Sequence, residues 1–129
     1  MNNLFLLIAG GRDFNNYEVL KKCLDNETKD NILPITVISG TARGADSLGE
    51  RWANEAGHEI IKYKPEWDKL GPKAGPLRNI EMYNFIKDKE NKKVIVFWDG
   101  ISKGTMHMIK TASNGQLPLK IYNYHGILM

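Results

Sequence analysis

The amino-acid sequence predicts an α/β fold: one domain over residues 1–129, built on an open, mostly parallel, five-stranded sheet with helices on both faces. Three observations carry this expectation. The segments "LFLLIA", "ITVIS" and "KVIVFW" are nearly continuous apolar runs, as strands buried on both faces require. The segments between them place apolar residues at helical spacing, so strand-like and helix-like periods alternate along the chain. Glycine-rich turns follow these same runs, where an α/β chain passes from strand to helix.

The elements follow in order. The first strand runs from Leu4 to Ala9 and is succeeded by a helix over roughly Asn16 to Asn26. The second strand, Ile35 to Ser39, leads into a helix from Ala45 to Ala56. Ala45, Leu48, Gly49, Trp52, Ala53 and Ala56 share one face of that helix, and Gly57 is its expected stop. Glu59 to Tyr63 is the third strand, and Lys64 to Gly75 is the longest irregular stretch. A third helix over Pro76 to Lys87 has Pro76 in an N1-like position and Ile80, Tyr83 and Ile86 at helical spacing. The fourth strand, Lys93 to Trp98, a helix from Lys103 to Asn114 and a fifth strand, Leu119 to Tyr124, complete the order. Right-handed crossovers turn this succession into an open parallel sheet, with the first, second and fourth strands central.

Composition excludes several classes. With 42% hydrophobic and 26% charged residues the chain reads as a water-soluble globular domain, and no apolar run approaches the roughly 20 residues that span a bilayer. The N-terminal segment lacks the features of a secretory signal, and Cys23 has no partner for an internal disulfide, so a cytoplasmic location is expected. The formal charge of +3 suits anionic ligands, but "KDKENKK" and "KKCLDNETKD" interleave lysines with acids and read as solvated faces. No Cys, His or carboxylate grouping has metal-ligand spacing, so neither metal nor cofactor is expected.

In a sheet of this kind ligands bind beyond the carboxyl ends of the strands, which gives the glycine clusters a common address. "GGRD" (Gly10, Gly11, Arg12, Asp13) follows the first strand, "GTARGAD" (with Gly40, Arg43, Gly44 and Asp46) the second, and "DGISKGT" (with Asp99, Ser102, Gly104 and Thr105) the fourth. Glycine lets a backbone approach a ligand closely, and the following helix directs free N–H groups and its positive dipole end at an anion, so phosphate is the natural occupant. The clusters are neither the G-x-G-x-x-G dinucleotide pattern nor a Walker A loop, which disfavours a classical NAD enzyme or P-loop NTPase. Arg12 and Arg43 have the guanidinium fork that grips phosphate. Asp13, Asp46 and Asp99 are rim carboxylates, although Asp46 also suits a first-turn acid at a helix start and Asp99 a turn residue. Convergent carboxylates would serve glycosidic-bond hydrolysis. Trp67 and Trp98 could stack on a base, with Trp98 better suited to the core at the end of its strand, and His107 reads as structural or interfacial.

"SGTARGADSLGERWA", taken with "GGRDF", "GPKAGPLRNIEM" and "FWDGISKGTMHMI", resembles the SLOG superfamily, named for the Smf/DprA and LOG proteins, and within it the small YspA-like branch. The resemblance covers nearly the whole chain and implies a Rossmann-like fold whose glycine-rich rim binds nucleotides or nucleotide-derived ligands. It implies contacts from Gly10, Gly11, Arg12, Gly40, Arg43, Gly44, Ser102, Gly104 and Thr105, with "GPKAGPLRN" as a lid that supplies Arg78 and Asn79. LOG enzymes cleave the N-glycosidic bond of nucleoside monophosphates with a P-G-G-x-G-T-x-x-E segment, and in the corresponding "DGISKGTMHM" Met108 stands in place of the glutamate. A thioether cannot exchange a proton. The expected function is therefore binding of a nucleotide-derived ligand for sensing or sequestration. The alternatives are a nucleotide N-glycosidase or phosphoribosyl hydrolase using Asp13 or Asp46, and, from the DprA-like turn, single-stranded nucleic-acid binding, for which a basic stripe interleaved with aromatics is lacking. The apolar "YNYHGILM" ending suggests either homo-oligomer contact or a tail folded back on the core.

Overall fold

A computed structural model describes residues 2–129. Its elements are β1 (Leu4–Gly10), α1 (Tyr17–Thr28), β2 (Ile35–Ser39), α2 (Ala45–Ala56), β3 (Glu59–Lys62), α3 (Trp67–Leu70), a 3₁₀ turn (Gly71–Lys73), α4 (Ala74–Ile86), β4 (Lys92–Phe97), α5 (Lys103–Asn114) and β5 (Leu119–Tyr122). The strands form one five-stranded sheet in the order β3-β2-β1-β4-β5, and every pairing is parallel. The strands with continuous apolar runs, β2, β1 and β4, occupy the centre, where both faces are covered.

Alternation along these strands divides the core in two. Leu6, Ile8, Val37, Ile95 and Phe97 face α1 and α2, packing on Leu20, Leu24, Trp52 and Ala53. Leu7, Ala9, Ile38, Val94 and Val96 face α4 and α5, packing on Met82, Ile86, Met108 and Ala112. Each large aliphatic side chain withdrawn from water in this way contributes about 1.5–3 kcal/mol. Helix α2 lies close on β1 because Gly49 faces Ile8, whose Cγ2 would be 2.8 Å from any Cβ at that position. It stops at Gly57, whose φ of 77° lets its N–H turn back to the carbonyls of Ala53 and Asn54.

The stretch from Lys64 to Gly75 is more ordered than its composition predicts. It holds α3 and the 3₁₀ turn, each too short to show an apolar period, and neither contains a buried residue. Helix α4 begins at Ala74, ahead of the expected Pro76. Pro76 is accommodated because the N–H groups of the first helical turn have no intrahelical partner to lose. The third and fifth strands end slightly early, at Lys62 and Tyr122, although the Tyr63 N–H still reaches the Ser39 carbonyl at 2.8 Å. Beyond β5 the chain turns at Gly126 (φ 80°) and returns, pairing Leu128 antiparallel with Tyr122 and leaving Ile127, Leu128 and Met129 exposed. Among the described residues no helix is long and apolar enough to cross a membrane.

Candidate functional site

From β1 the chain leads to β2 on one side, while β4 pairs with β1 on the other, so the order of strands reverses between β1 and β4. The diverging turns leave a crevice at that point. A cleft of about 550 Å³ opens there, lined by Ala9, Gly10, Arg12, Asp46, Arg78, Asn79, Met108 and the start of α5.

Asp46 lies in the first turn of α2 and is 5% exposed. Its Oδ2 accepts the Ala42 N–H at 3.1 Å and lies 3.9 Å from Arg78 Nη1. Burial pushes this carboxyl up to about 6, more than the Ala42 N–H and the Arg78 and Arg12 guanidinium groups pull it down. Arg78, itself largely buried, donates Nη1 to the Gly40 carbonyl and Nε to Asn79 Oδ1 at 3.1 Å. One guanidinium thus fixes the turn after β2 to the first part of α4.

Asn79 is 5% exposed and connects α4 to α5, with Nδ2 3.1 Å from His107 Nδ1 and 3.5 Å from the Gly104 carbonyl. The amide donates, so a neutral His107 ring carries its proton on Nε2. At the start of α5 the Ser102 hydroxyl accepts from the Thr105 N–H at 3.4 Å, and the Ser102 carbonyl accepts from the Met106 N–H at 3.0 Å. The N–H groups of Lys103 and Gly104 precede any intrahelical acceptor and mark the positive end of the helix beside the cleft. Trp67 projects from α3 at the mouth, 45% exposed, with the Arg12 guanidinium 5.7 Å from its ring centroid and Gly75 beneath it.

The structure brings together Gly10, Arg12, Asp46, Arg78, Asn79, Ser102, Gly104 and Thr105 in the cleft lining. Arg43 is exposed and lines an adjoining depression with Arg12, Thr41 and Trp67. Asp13 stands apart from the cleft lining and accepts the Tyr124 hydroxyl at 2.6 Å, so the two carboxylates considered for hydrolysis do not converge there. Asp99 caps its own turn, its Oδ1 accepting the Ile101 and Ser102 N–H groups at 2.8 Å each. The glycines also divide. A Cβ on Gly11 would overlap the Tyr124 hydroxyl, one on Gly40 the Arg78 guanidinium, and one on Gly44 the Gly11 carbonyl, whereas Gly104 has no atom within 4 Å of that point. Trp98 anchors the turn after β4 by donating Nε1–H to the Ser102 carbonyl at 3.1 Å.

Lys103 carries no motif of its own in the sequence, and the sequence context of His107 suggests a structural or interfacial role, yet both line the cleft. Their signal was position: Lys103 and His107 lie four residues apart on α5, on the face that carries Gly104. Among the described residues no three His, Cys, Asp or Glu side chains are grouped to hold a metal ion.

Residues 5–70 match the model of the YspA, cpYpsA-related SLOG family, a stretch running from β1 through α3. The chain belongs to this SLOG family. The matched stretch includes Arg12, Asp46 and Trp67 of the cleft lining; Arg78, Asn79 and the α5 start lie beyond it. A relative, the gene 61 protein of Mycobacterium phage D29, is 33% identical over 119 residues, covering 88% of this SLOG chain and 92% of its own length. No solved structure matches the chain.

Proposed function

We propose that the cleft binds a nucleotide or nucleotide-derived phosphorylated ligand, for sensing or sequestration. The reading rests on SLOG membership, which suggests a nucleotide-related ligand, and on one observation above all: Arg12, Arg78 and Lys103 line a crevice at the β1/β4 switch point with an exposed indole at its mouth. The phosphate is assigned to the start of α5, where the Lys103 and Gly104 N–H groups, the Lys103 ammonium and the helix dipole add up. The base is assigned to Trp67, whose indole is half exposed at the mouth and lies 5.7 Å from the Arg12 cation. Thermal shift against a panel of nucleoside mono-, di- and triphosphates, with chromatography of the incubated mixtures, tests the reading. Stabilisation without new products is the expected result; no stabilisation by any member of the panel would remove it.

Hydrolysis of an N-glycosidic bond is a second reading, favoured by Asp46. A buried carboxyl whose pKa is raised to about 6 is largely ionised at neutrality but keeps a minor protonated form, which could protonate a departing base as general acid. No second carboxylate lines the cleft among the described residues, so the paired-carboxylate mechanism has no partner for Asp46. Release of free base from a nucleoside monophosphate, abolished by Asp46→Asn, is the outcome that would establish turnover.

A further inference from the structure

Among the described residues Asp46 is the one carboxylate lining the cleft, alongside the cations of Arg12, Arg78 and Lys103, and the two oxygens of its side chain are not equivalent. Oδ2 is committed to the Ala42 N–H and lies near Arg78, while among the described residues Oδ1 accepts no hydrogen bond. Among the described residues no buried side-chain oxygen or nitrogen is left without a partner. Oδ1 therefore keeps some contact with solvent, and Asp46 lines the cleft, so Oδ1 is the side-chain oxygen left to a ligand there.

An acceptor held in that position selects what can lie against it. A phosphate there would set anion against anion at low dielectric, which directs phosphate toward Lys103 and Gly104. A purely apolar group would leave Oδ1 without a partner once water is expelled, at the cost of a lost hydrogen bond to a charged acceptor. A neutral hydroxyl donor meets both constraints. Arg78 contributes as well, because it holds the neighbouring Gly40 carbonyl and Asn79 side chain and so fixes the wall against which that hydroxyl would rest.

Building on the phosphate and base assignments above, we infer that Asp46 Oδ1 accepts a hydrogen bond from a sugar hydroxyl of the ligand, so that the cleft selects phosphorylated ribose with its hydroxyls intact: a ribonucleotide in preference to its deoxy counterparts. The shared chemistry, a hydroxylated sugar beside a phosphate, is also offered by a free sugar phosphate, from which Trp67 stacking distinguishes a nucleotide.

Equilibrium binding of adenosine monophosphate, its 2′,3′-dideoxy analogue and ribose 5-phosphate, measured by calorimetry, tests this. In the wild type the dideoxy analogue should bind at least about tenfold more weakly than the ribonucleotide, which converts to about 1.4 kcal/mol. In Asp46→Ala the two should bind alike. The comparison within the wild type stands even if the variant does not fold. Equal affinity for both nucleotides in the wild type, or discrimination undiminished in a folded Asp46→Ala protein, overturns the assignment while leaving the cleft a nucleotide site. Binding of none of the three ligands overturns the assignment, while the nucleotide panel described above decides separately the reading on which it rests. Ribose 5-phosphate bound as tightly as the nucleotide keeps the role of Asp46 and makes the ligand a sugar phosphate.

Discussion

Arg78 Nη1 lies 3.9 Å from Asp46 Oδ2, and the two residues reach each other around the end of the sheet from helices packed on its opposite faces. The distance is that of an ion pair without a direct hydrogen bond, and the direct bond from Nη1 goes to the Gly40 carbonyl. Arg78→Ala would leave a buried carboxylate and a backbone carbonyl without their partner. We expect a loss of about 1–3 kcal/mol in urea denaturation at neutral pH. Arg78→Lys should recover only part of it, since one ammonium cannot reproduce the fork that also reaches Asn79. An Ala variant as stable as the wild type would show that the pair contributes nothing to folding.

The raised Asp46 pKa has a definite sign. The ordinary value is 3.8 and the folded value about 6, so between these the folded protein holds a proton that the unfolded chain releases. Stability from this group is therefore greatest at low pH and falls as pH rises from near 4 to above 6. Asp46→Asn removes that dependence, and its stability relative to the wild type should grow across this window and then level off, by about 1–3 kcal/mol. Parallel denaturation curves from pH 4 to 8 check it. A constant difference across the range would mean that Asp46 titrates normally.

Two glycines of the rim should respond oppositely. Gly44 has φ 79° and no room for a Cβ beneath the Gly11 carbonyl, so Gly44→Ala should cost more than about 2 kcal/mol in stability. Gly104 faces open space, and Gly104→Val should alter stability by less than about 1 kcal/mol while crowding the anion position at the start of α5. Thermal melts with and without nucleoside monophosphate separate the two effects. A Gly104→Val protein still stabilised by nucleotide to the wild-type extent would place the phosphate elsewhere.

Trp67 is half exposed, so its truncation should spare the fold. If its indole stacks on a base, Trp67→Ala weakens nucleotide affinity by roughly 1–3 kcal/mol, and Trp67→Tyr restores most of the loss. Fluorescence or calorimetric titration measures both, and unchanged affinity in the Ala variant would free Trp67 from the site.

Much of this architecture is legible in the sequence because burial leaves a pattern. Strands β1, β2 and β4 are continuous apolar runs since both their faces are covered, and Gly57 ends α2 where the amphipathic face ends. Helix α3 left no such trace: its four residues complete barely one turn and none is buried. The glycines were legible as close approaches but ambiguous in their object. Gly11, Gly40 and Gly44 admit a tyrosine hydroxyl, a guanidinium and a neighbouring carbonyl, and only the folded chain distinguishes these neighbours from a ligand. Asp13 and Asp46 look alike in sequence as acids following glycine turns, and distant residues separate them: the Tyr124 hydroxyl engages an exposed Asp13, while Arg78 lies beside a buried Asp46.

The segment from Trp67 to Lys73 contains no buried residue; its backbone N–H groups at Lys69, Leu70 and Gly71 reach only Glu66 and Trp67, and the Trp67 ring resting on Gly75 anchors its near end. Lifting it disturbs neither sheet nor core. We expect such a strap to set how quickly a ligand enters and leaves more than how tightly it is held. Loosening it by Pro72→Gly, next to Gly71 with its φ of 61°, should then accelerate capture and escape together in stopped-flow traces, with the ratio of the two rates nearly unchanged.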